Sequence, residues 1–344
     1  MCTRPIVVTY SERLNKRSKS GVKVQGQKHS VLCTCGKCDE CVKQYQNDWM
    51  TRMYSELKCS NVAVFFTLTY RDDTVPQVAD PASGEFFDTV RKVDVQSWLK
   101  TMREMRRKRG LSTDYRWYVS SEYGPTTLRP HYHGLIFGLR LRDVMPWLCR
   151  WQRMYGFTTQ REINLLNQKD ALNSIRYVSK YCSKGDFENP LVSAGIVAPS
   201  FHLISKSIGS NFLNDNKRSY YLALDVTDRR DSHGKYLDSY VAEIAKRLNY
   251  PIPPYSYHLA RYYREDVFAK RKDLQVAYAD YVCRRVLEQC SPSLVKLSTD
   301  KPYPMDKAFR KGVREDCLQN IAVLAQRQSD ARCVVSKHYK LSKI

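Results

Sequence analysis

The feature that most restricts the fold is a pair of neighbouring strand patterns in the middle of the chain. Residues 115–123 and 131–139 are rich in β-branched and aromatic side chains, and a short loop with Gly124, Pro125 and Pro130 separates them. Such segments predict strands, and a connection this short is typical of antiparallel neighbours. This hairpin therefore commits the middle of the chain to an antiparallel sheet.

The flanking segments extend this pattern. Residues 71–87, with two prolines and a glycine, predict a loop, and Asp94 is the expected N-cap of the helix that follows. The other periodic segments predict two strands, at 61–70 and 158–165, and three helices, at about 94–110, 141–155 and 169–183. The order β-α-β-β-α-β-α predicts an α+β fold, an antiparallel sheet with helices on one face in the ferredoxin-like or split βαβ arrangement.

The chain divides into three predicted regions. Residues 1–60 form a basic arm followed by a cysteine-rich segment, and residues 61–215 contain the predicted sheet. Residues 216–344 are basic, tyrosine-rich and mostly helical in pattern. The helical patterns there lie at 236–248, 259–288 and 304–328. A Walker-type loop, Gly-x-x-x-x-Gly-Lys-Ser/Thr, is absent from the sequence, which argues against a fused helicase motor.

Net charge predicts the class of partner. Of 344 residues, 57 are Lys or Arg and 35 are Asp or Glu, which gives a net charge of +22. A surface with this excess attracts polyanions, so nucleic acid is the predicted partner. A ribosome-like or membrane-surface role is the alternative.

The sequence also predicts where the protein works. The longest apolar run, residues 62–68, is too short to cross a bilayer, and the first residues lack the apolar stretch of a signal peptide. The twelve cysteines therefore predict reduced thiols in a cytoplasm rather than a secreted disulfide scaffold.

Two histidines mark a candidate metal site. His131 and His133 flank Tyr132 on a predicted strand, so both imidazoles project from one face while Tyr132 points into packing on the other. The hairpin can return Glu122 to the same face. Two imidazoles and a carboxylate would hold a hard divalent cation, Mg²⁺ or Mn²⁺, against a phosphodiester. The alternatives are structural histidines and a Glu122 that pairs with an arginine.

Two tyrosines mark a candidate nucleophile. Tyr177 and Tyr181 are four residues apart on a predicted helix, which places both phenols on one face, and Lys180 and Lys184 are paired on an adjoining face. A phenol with a pKa near 10 needs nearby cations and an activated phosphate to attack at neutral pH. The alternative is an amphipathic helix that uses tyrosine as core.

The N-terminal cysteines suggest a second metal. Cys33, Cys35, Cys38 and Cys41 lie within nine residues, a spacing that predicts a structural Zn²⁺ site, with His29 as another candidate for the fourth ligand. The alternative is a set of free thiols that are close only in sequence.

Three sequence blocks in this order resemble the motifs of the His-hydrophobe-His rolling-circle endonucleases. They are FTLTY at 66–70, PHYHG at 130–134 and YVSKY at 177–181. More narrowly, the chain resembles the replication initiators of microviruses, particularly the gokushovirus-type members. Further similar segments are CGKCDEC at 35–41, SEYG at 121–124, RPHYH at 129–133 and, more weakly, SIG at 207–209. The resemblance covers about residues 31–215 and implies an endonuclease domain over 61–215.

The resemblance also implies a reaction. A divalent metal would be held by His131, His133 and an acid from the neighbouring strand, here Glu122. Tyr177 or Tyr181 would attack the origin phosphate of a single-stranded or supercoiled circular DNA and become joined to the 5′ end. The freed 3′-OH would serve a host DNA polymerase and helicase in the host bacterial cytoplasm.

Supporting roles follow from the same resemblance. Thr67, Thr69 and Arg129 are expected to hold DNA or to shape the sheet. The sequence departs from the family pattern at Cys182, inside the third block, and at Cys33, ahead of the usual cysteine cluster. Cys33 leaves open which thiols would bind zinc.

Rival functions make different predictions. A zinc-containing, non-catalytic single-stranded nucleic-acid-binding protein would account for the cysteines and the charge, but not for the paired tyrosines. A phosphohydrolase that uses water as nucleophile would keep its activity without both tyrosines. A transposase or plasmid initiator of the same superfamily is a further alternative.

Overall fold

The computed structural model describes residues 6–11, 28–33, 36, 39–124, 126–180, 189–227, 229–252 and 255–290. These residues divide into two compact units. One unit contains Tyr45–Leu222 and Leu248–Val267, and the other contains the remaining described residues. The predicted region limits at 60 and 215 stay a prediction.

The described strands are β1 (Ile6–Ser11), β2 (Lys28–Cys33), β3 (Val62–Tyr70), β4 (Gln77–Ala79), β5 (Phe86–Asp88), β6 (Arg116–Tyr123), β7 (Pro130–Phe137), β8 (Gly156–Asn164), β9 (His202–Ile204), β10 (Asn249–Ile252) and β11 (Tyr255–His258). The described helices are α1 (Asp39–Ser60), α2 (Lys92–Lys108), α3 (Leu141–Met154), α4 (Gln168–Lys180), α5 (Pro190–Ser193), α6 (Asp215–Tyr221), α7 (Asp238–Arg247), α8 (Arg261–Val267) and α9 (Lys272–Cys290). None of these helices is long and apolar enough to cross a membrane.

The largest sheet of the described residues has five strands in the order β8-β3-β7-β6-β9, and every neighbouring pair is antiparallel. The four predicted strands occupy the first four places. Helix α2 connects β3 to β6 and helix α3 connects β7 to β8, as in the split βαβ arrangement. The predicted α+β class is therefore confirmed, and β9 adds an edge strand that was not predicted.

One face of this sheet carries the main apolar core. Alternate residues of β3, Val64, Phe66 and Leu68, are fully buried on it because side chains alternate between the faces of a strand. Apolar residues at helical spacing on α2 and α3, such as Trp98 and Trp151, close the other side of the core. A side chain at Gly134 would collide with the Phe66 ring, so the glycine of the PHYHG block is required by packing.

The opposite face is covered by two further helices. Trp49 of α1 packs against Tyr118 of β6 with ring centroids 5.4 Å apart. Tyr177 of α4 packs against Phe65 of β3 at 5.9 Å. The crossover helices therefore share one face, as predicted, while α1 and α4 form a second layer on the face that carries the histidines.

Three local predictions are wrong. Helix α2 begins at Lys92 with Arg91 as its N-cap, because the Asp94 carboxylate is buried within the first turn, where it accepts a hydrogen bond from the Tyr70 hydroxyl (2.9 Å). The predicted loop at 71–87 contains the β4–β5 hairpin.

The third wrong prediction is the helix at 259–288, which is split into α8 and α9. The pattern at 304–328 lies outside the described residues. The smaller unit is otherwise described by β1 paired with β2 and by α7 and α9.

Candidate active site

A buried histidine is the centre of the candidate site. His133 Nε2 lies 3.2 Å from the Glu122 carboxylate, and His133 Nδ1 lies 3.0 Å from the Thr67 hydroxyl. Both His133 and Glu122 are less than a tenth exposed. The strand register explains the cluster, because Thr67 is directly opposite His133, and Glu122 is opposite His131.

His131 lies on the same face as His133, as the alternation predicts, and Tyr132 is buried on the other face. The two imidazole centroids are 6.3 Å apart and the rings are nearly perpendicular. His131 Nδ1 is buried and has no hydrogen-bond partner among the described residues. Ser120, opposite His133 on β6, has a buried hydroxyl in the same condition.

The donors match a divalent cation in kind. Two imidazoles and one carboxylate on one face suit Mn²⁺ or Mg²⁺, and the unsatisfied His131 Nδ1 is a polar atom that a ligand could satisfy. The three side chains do not converge on one point. In the part of the chain that the structure describes, no group of three or more His, Cys, Asp or Glu side chains is arranged around a common metal position.

The phenol of Tyr177 faces this cluster. Tyr177 Oη lies 3.4 Å from His133 Nε2, and the two rings meet edge to face at 5.0 Å. Tyr177 is 42% exposed, which argues against the alternative that it is a core residue. Lys180 is exposed at the end of α4. Tyr181 and Lys184 lie outside the described residues.

Helix α4 is fixed by side chains from three directions. Gln46 of α1 donates to the Lys180 carbonyl oxygen (3.1 Å), Arg161 of β8 donates to the Ser174 hydroxyl (2.8 Å), and Arg176 donates to the Tyr257 hydroxyl (3.0 Å). Sequence patterns missed these contacts because each joins residues far apart in the chain or on different elements. The helix that carries Tyr177 is thereby held over the face of the histidines.

The predicted DNA-contacting residues have different surroundings. Thr67 supports His133, as described above. The Thr69 hydroxyl is within 3.5 Å of the Phe157 carbonyl oxygen at an exposed position. Arg129 donates to Asp72 and to the Tyr70 carbonyl oxygen, both at 2.6 Å, so its guanidinium joins the entry of β7 to the end of β3.

The cysteine cluster is only partly described. Cys33 ends β2, where its backbone alone is described, and Cys41 is buried near the start of α1. Cys35 and Cys38 lie outside the described residues. The zinc site stays a prediction.

Comparison with known proteins bears on the same region. Residues 63–186 match a family of replication-associated proteins of the ORF2 type. Replication-associated protein VP4 of Bdellovibrio phage phiMH2K is 27% identical over 193 residues, which cover 53% of this chain and 58% of that protein. The resemblance to microvirus-type replication initiators is confirmed.

A second relative of this initiator type supports the comparison. Replication-associated protein ORF2 of Spiroplasma virus 4 is 26% identical over 226 residues, which cover 59% of this chain and 66% of that protein. The chain therefore spans less than two thirds of the length of both relatives. No solved structure matches. The family match contains β3, the β6–β7 hairpin and α4, and hence the whole described part of the candidate site.

Proposed function

We propose that this chain is a rolling-circle replication initiator that nicks one strand of a circular phage DNA at its origin. The observation that carries the proposal is the Tyr177 phenol, which is exposed to solvent yet lies 3.4 Å from a buried histidine. The names of the relatives, two phage replication-associated proteins, support a role in phage replication.

The proposed reaction is a transesterification. The phenol oxygen of Tyr177 or Tyr181 bonds to the phosphorus, the bond from phosphorus to the 3′ oxygen breaks, and that oxygen leaves with a proton as the 3′-OH. One phosphodiester is exchanged for another, a 5′-phosphotyrosine link, so rejoining to a unit-length circle needs no ATP. The second tyrosine supplies the nucleophile for that second exchange.

The buried cluster would hold the cofactor. Glu122, His131 and His133 would bind Mg²⁺ or Mn²⁺, which supplies Lewis-acid polarisation of the phosphate. When His133 Nδ1–H donates to the Thr67 hydroxyl, the lone pair of Nε2 faces the site, so Thr67 sets the tautomer of the ligand. We also propose a structural Zn²⁺ on the cysteine cluster.

Cations of α4 and of the wider surface complete the proposal. Lys180 and Lys184 would stabilise the phenolate that attacks, because a neutral phenol with a pKa near 10 is a weak nucleophile. The net charge of +22 would bind the phosphates of a single-stranded or supercoiled origin. A host helicase and DNA polymerase would then extend the 3′-OH in the host bacterial cytoplasm.

Detection of a covalent adduct tests this function. The full chain is incubated with a single-stranded circle of its genome and Mn²⁺, and the products are separated on a denaturing gel. We expect adducts with the wild type and with Tyr220→Phe, which changes an exposed tyrosine in the same compact unit. The double variant Tyr177→Phe/Tyr181→Phe should form none. Cut DNA without an adduct would instead indicate water as the nucleophile.

A further inference from the structure

An open groove lies beside the proposed nucleophile, between strand β8 and helix α4. Its walls include Phe65, Thr159, Arg161, Asn173 and Tyr177, and its volume is about 460 Å³. This volume is within the range of roughly 300–1,000 Å³ that small-molecule sites occupy. Tyr177 is itself a wall, so whatever fills this β8–α4 groove is next to the phenol.

One wall of the groove is a pre-arranged cation over an aromatic ring. The Arg161 guanidinium is held by the Asp170 carboxylate (3.1 Å) and the Ser174 hydroxyl (2.8 Å), and it lies 5.2 Å from the centre of the Phe65 ring. Half of the Arg161 side chain stays exposed. A flat, fixed guanidinium is a surface on which unpaired nucleobases stack.

The facing wall offers a hydrogen-bonding amide. Asn173 and Tyr177 are four residues apart on α4, so their Cβ atoms are about 5–6 Å from each other. Asn173 is exposed, and its amide makes no hydrogen bond to any residue that the structure describes. The amide therefore presents a donor and an acceptor to the groove, the pair with which asparagine reads the edge of a base.

We propose that the β8–α4 groove binds one nucleobase of the single DNA strand next to the phosphate that is cut, and that Asn173 reads its edge. The proposal rests on the proposed nickase function and adds a residue that selects the origin sequence. Three features favour a nucleobase as the occupant: the groove adjoins the phenol, its fixed cation lies over an aromatic ring, and the protein carries a charge of +22.

Abasic scanning tests the proposal. The nick is first mapped with wild-type protein, and the bases around it are then replaced one at a time by abasic sites in a short single-stranded oligonucleotide. We expect one position beside the nick at which the wild type loses nicking rate by roughly fivefold or more, the lower end of what an asparagine–base pair contributes. Asn173→Ala should show that loss with the intact oligonucleotide and no further loss at the abasic position.

Asn216→Ala is the matched control, because Asn216 is an exposed asparagine on α6 of the same compact unit. It should behave as the wild type. Alanine at position 173 favours the helix, so the variant should fold, and its melting temperature checks this. The inference is overturned if Asn173→Ala responds to every abasic site as the wild type does, or if no position beside the nick matters. Failure of the nickase function is a separate result, the absence of any adduct with wild-type protein.

Discussion

Replacement of Thr67 by valine tests how the candidate metal ligand is oriented. Valine keeps the branched shape of threonine in strand β3 and removes only the hydroxyl that lies 3.0 Å from His133 Nδ1. Without that oxygen, the tautomer that presents the Nε2 lone pair loses its support, while the fold should keep its stability.

The size of the effect follows from the hydrogen bond that is lost. A bond of this kind contributes about 0.5–1.5 kcal/mol, which is roughly 2- to 13-fold in an equilibrium constant. Partners that hold metal-ligating histidines typically change metal affinity by about 10- to 100-fold. The two ranges overlap near tenfold. We therefore expect the Mn²⁺ concentration for half-maximal nicking to rise about tenfold in Thr67→Val.

The assay is a Mn²⁺ titration of the nicking rate with a short origin oligonucleotide. Thr69→Val is the matched control, because Thr69 is two residues along the same face and its hydroxyl is near the Phe157 carbonyl oxygen rather than a histidine. Its half-maximal Mn²⁺ concentration should stay within about twofold of the wild type. The reasoning is refuted if Thr67→Val has the metal dependence of the wild type, or if both variants lose metal affinity equally.

Four further predictions concern the site, the core and the N-terminal cysteines. His131→Ala/His133→Ala should abolish nicking in Mn²⁺ yet keep most DNA affinity in a filter-binding assay, since affinity comes mainly from Lys and Arg; full nicking in EDTA would contradict this. Either single change, Tyr177→Phe or Tyr181→Phe, should keep some first-step nicking but lose repeated production of unit circles, whereas wild-type turnover by one of them would indicate a one-tyrosine enzyme. Burial raises the pKa of Tyr132 to about 12, above the unfolded value near 10, so the folded state keeps a proton that the unfolded state releases. Stability should be complete below about pH 10 and fall as pH rises towards 12, with a smaller fall in Tyr132→Phe, as urea unfolding at about pH 9 and pH 11 can show. Protein purified without chelator should contain about one equivalent of zinc by metal analysis, and a zinc-free, folded protein would exclude the cysteine site.

The sequence predicted the parts of the site that depend on local periodicity. Alternation along one strand placed His131 and His133 on one face and Tyr132 on the other, and the short hairpin returned Glu122 to the histidines. Helical spacing placed Tyr177 on an exposed face of α4. These relations hold within one strand, one hairpin or one helix, so they can be read from the order of residues alone.

Contacts between distant segments could not be predicted in this way. Strand β9 pairs with β6 through Ser120 and His202, which are 82 residues apart, and its three residues carry no strong strand pattern. The start of α2 depends on the buried hydrogen bond from Tyr70 to Asp94, which outweighs the usual preference of aspartate for the N-cap. In each case a tertiary contact, and not a local preference, decides the structure.

Such contacts also decide how the nucleophile is held. Gln46 reaches the end of α4 from another helix, and Arg161 reaches its middle from an edge strand. Neither residue stands in a motif. The chemistry-bearing residues could therefore be named from sequence, but not the residues that hold them in register.

Localisation of the covalent link tests the central claim most directly. Adduct formed with the origin oligonucleotide and Mn²⁺ is digested with nuclease and trypsin, and the modified peptide is identified by mass spectrometry. The proposed mechanism predicts a nucleotide on Tyr177 or on Tyr181, with a free 3′-OH on the other DNA end. A nucleotide on any other residue, or cut DNA whose 5′ phosphate carries no peptide, would contradict it.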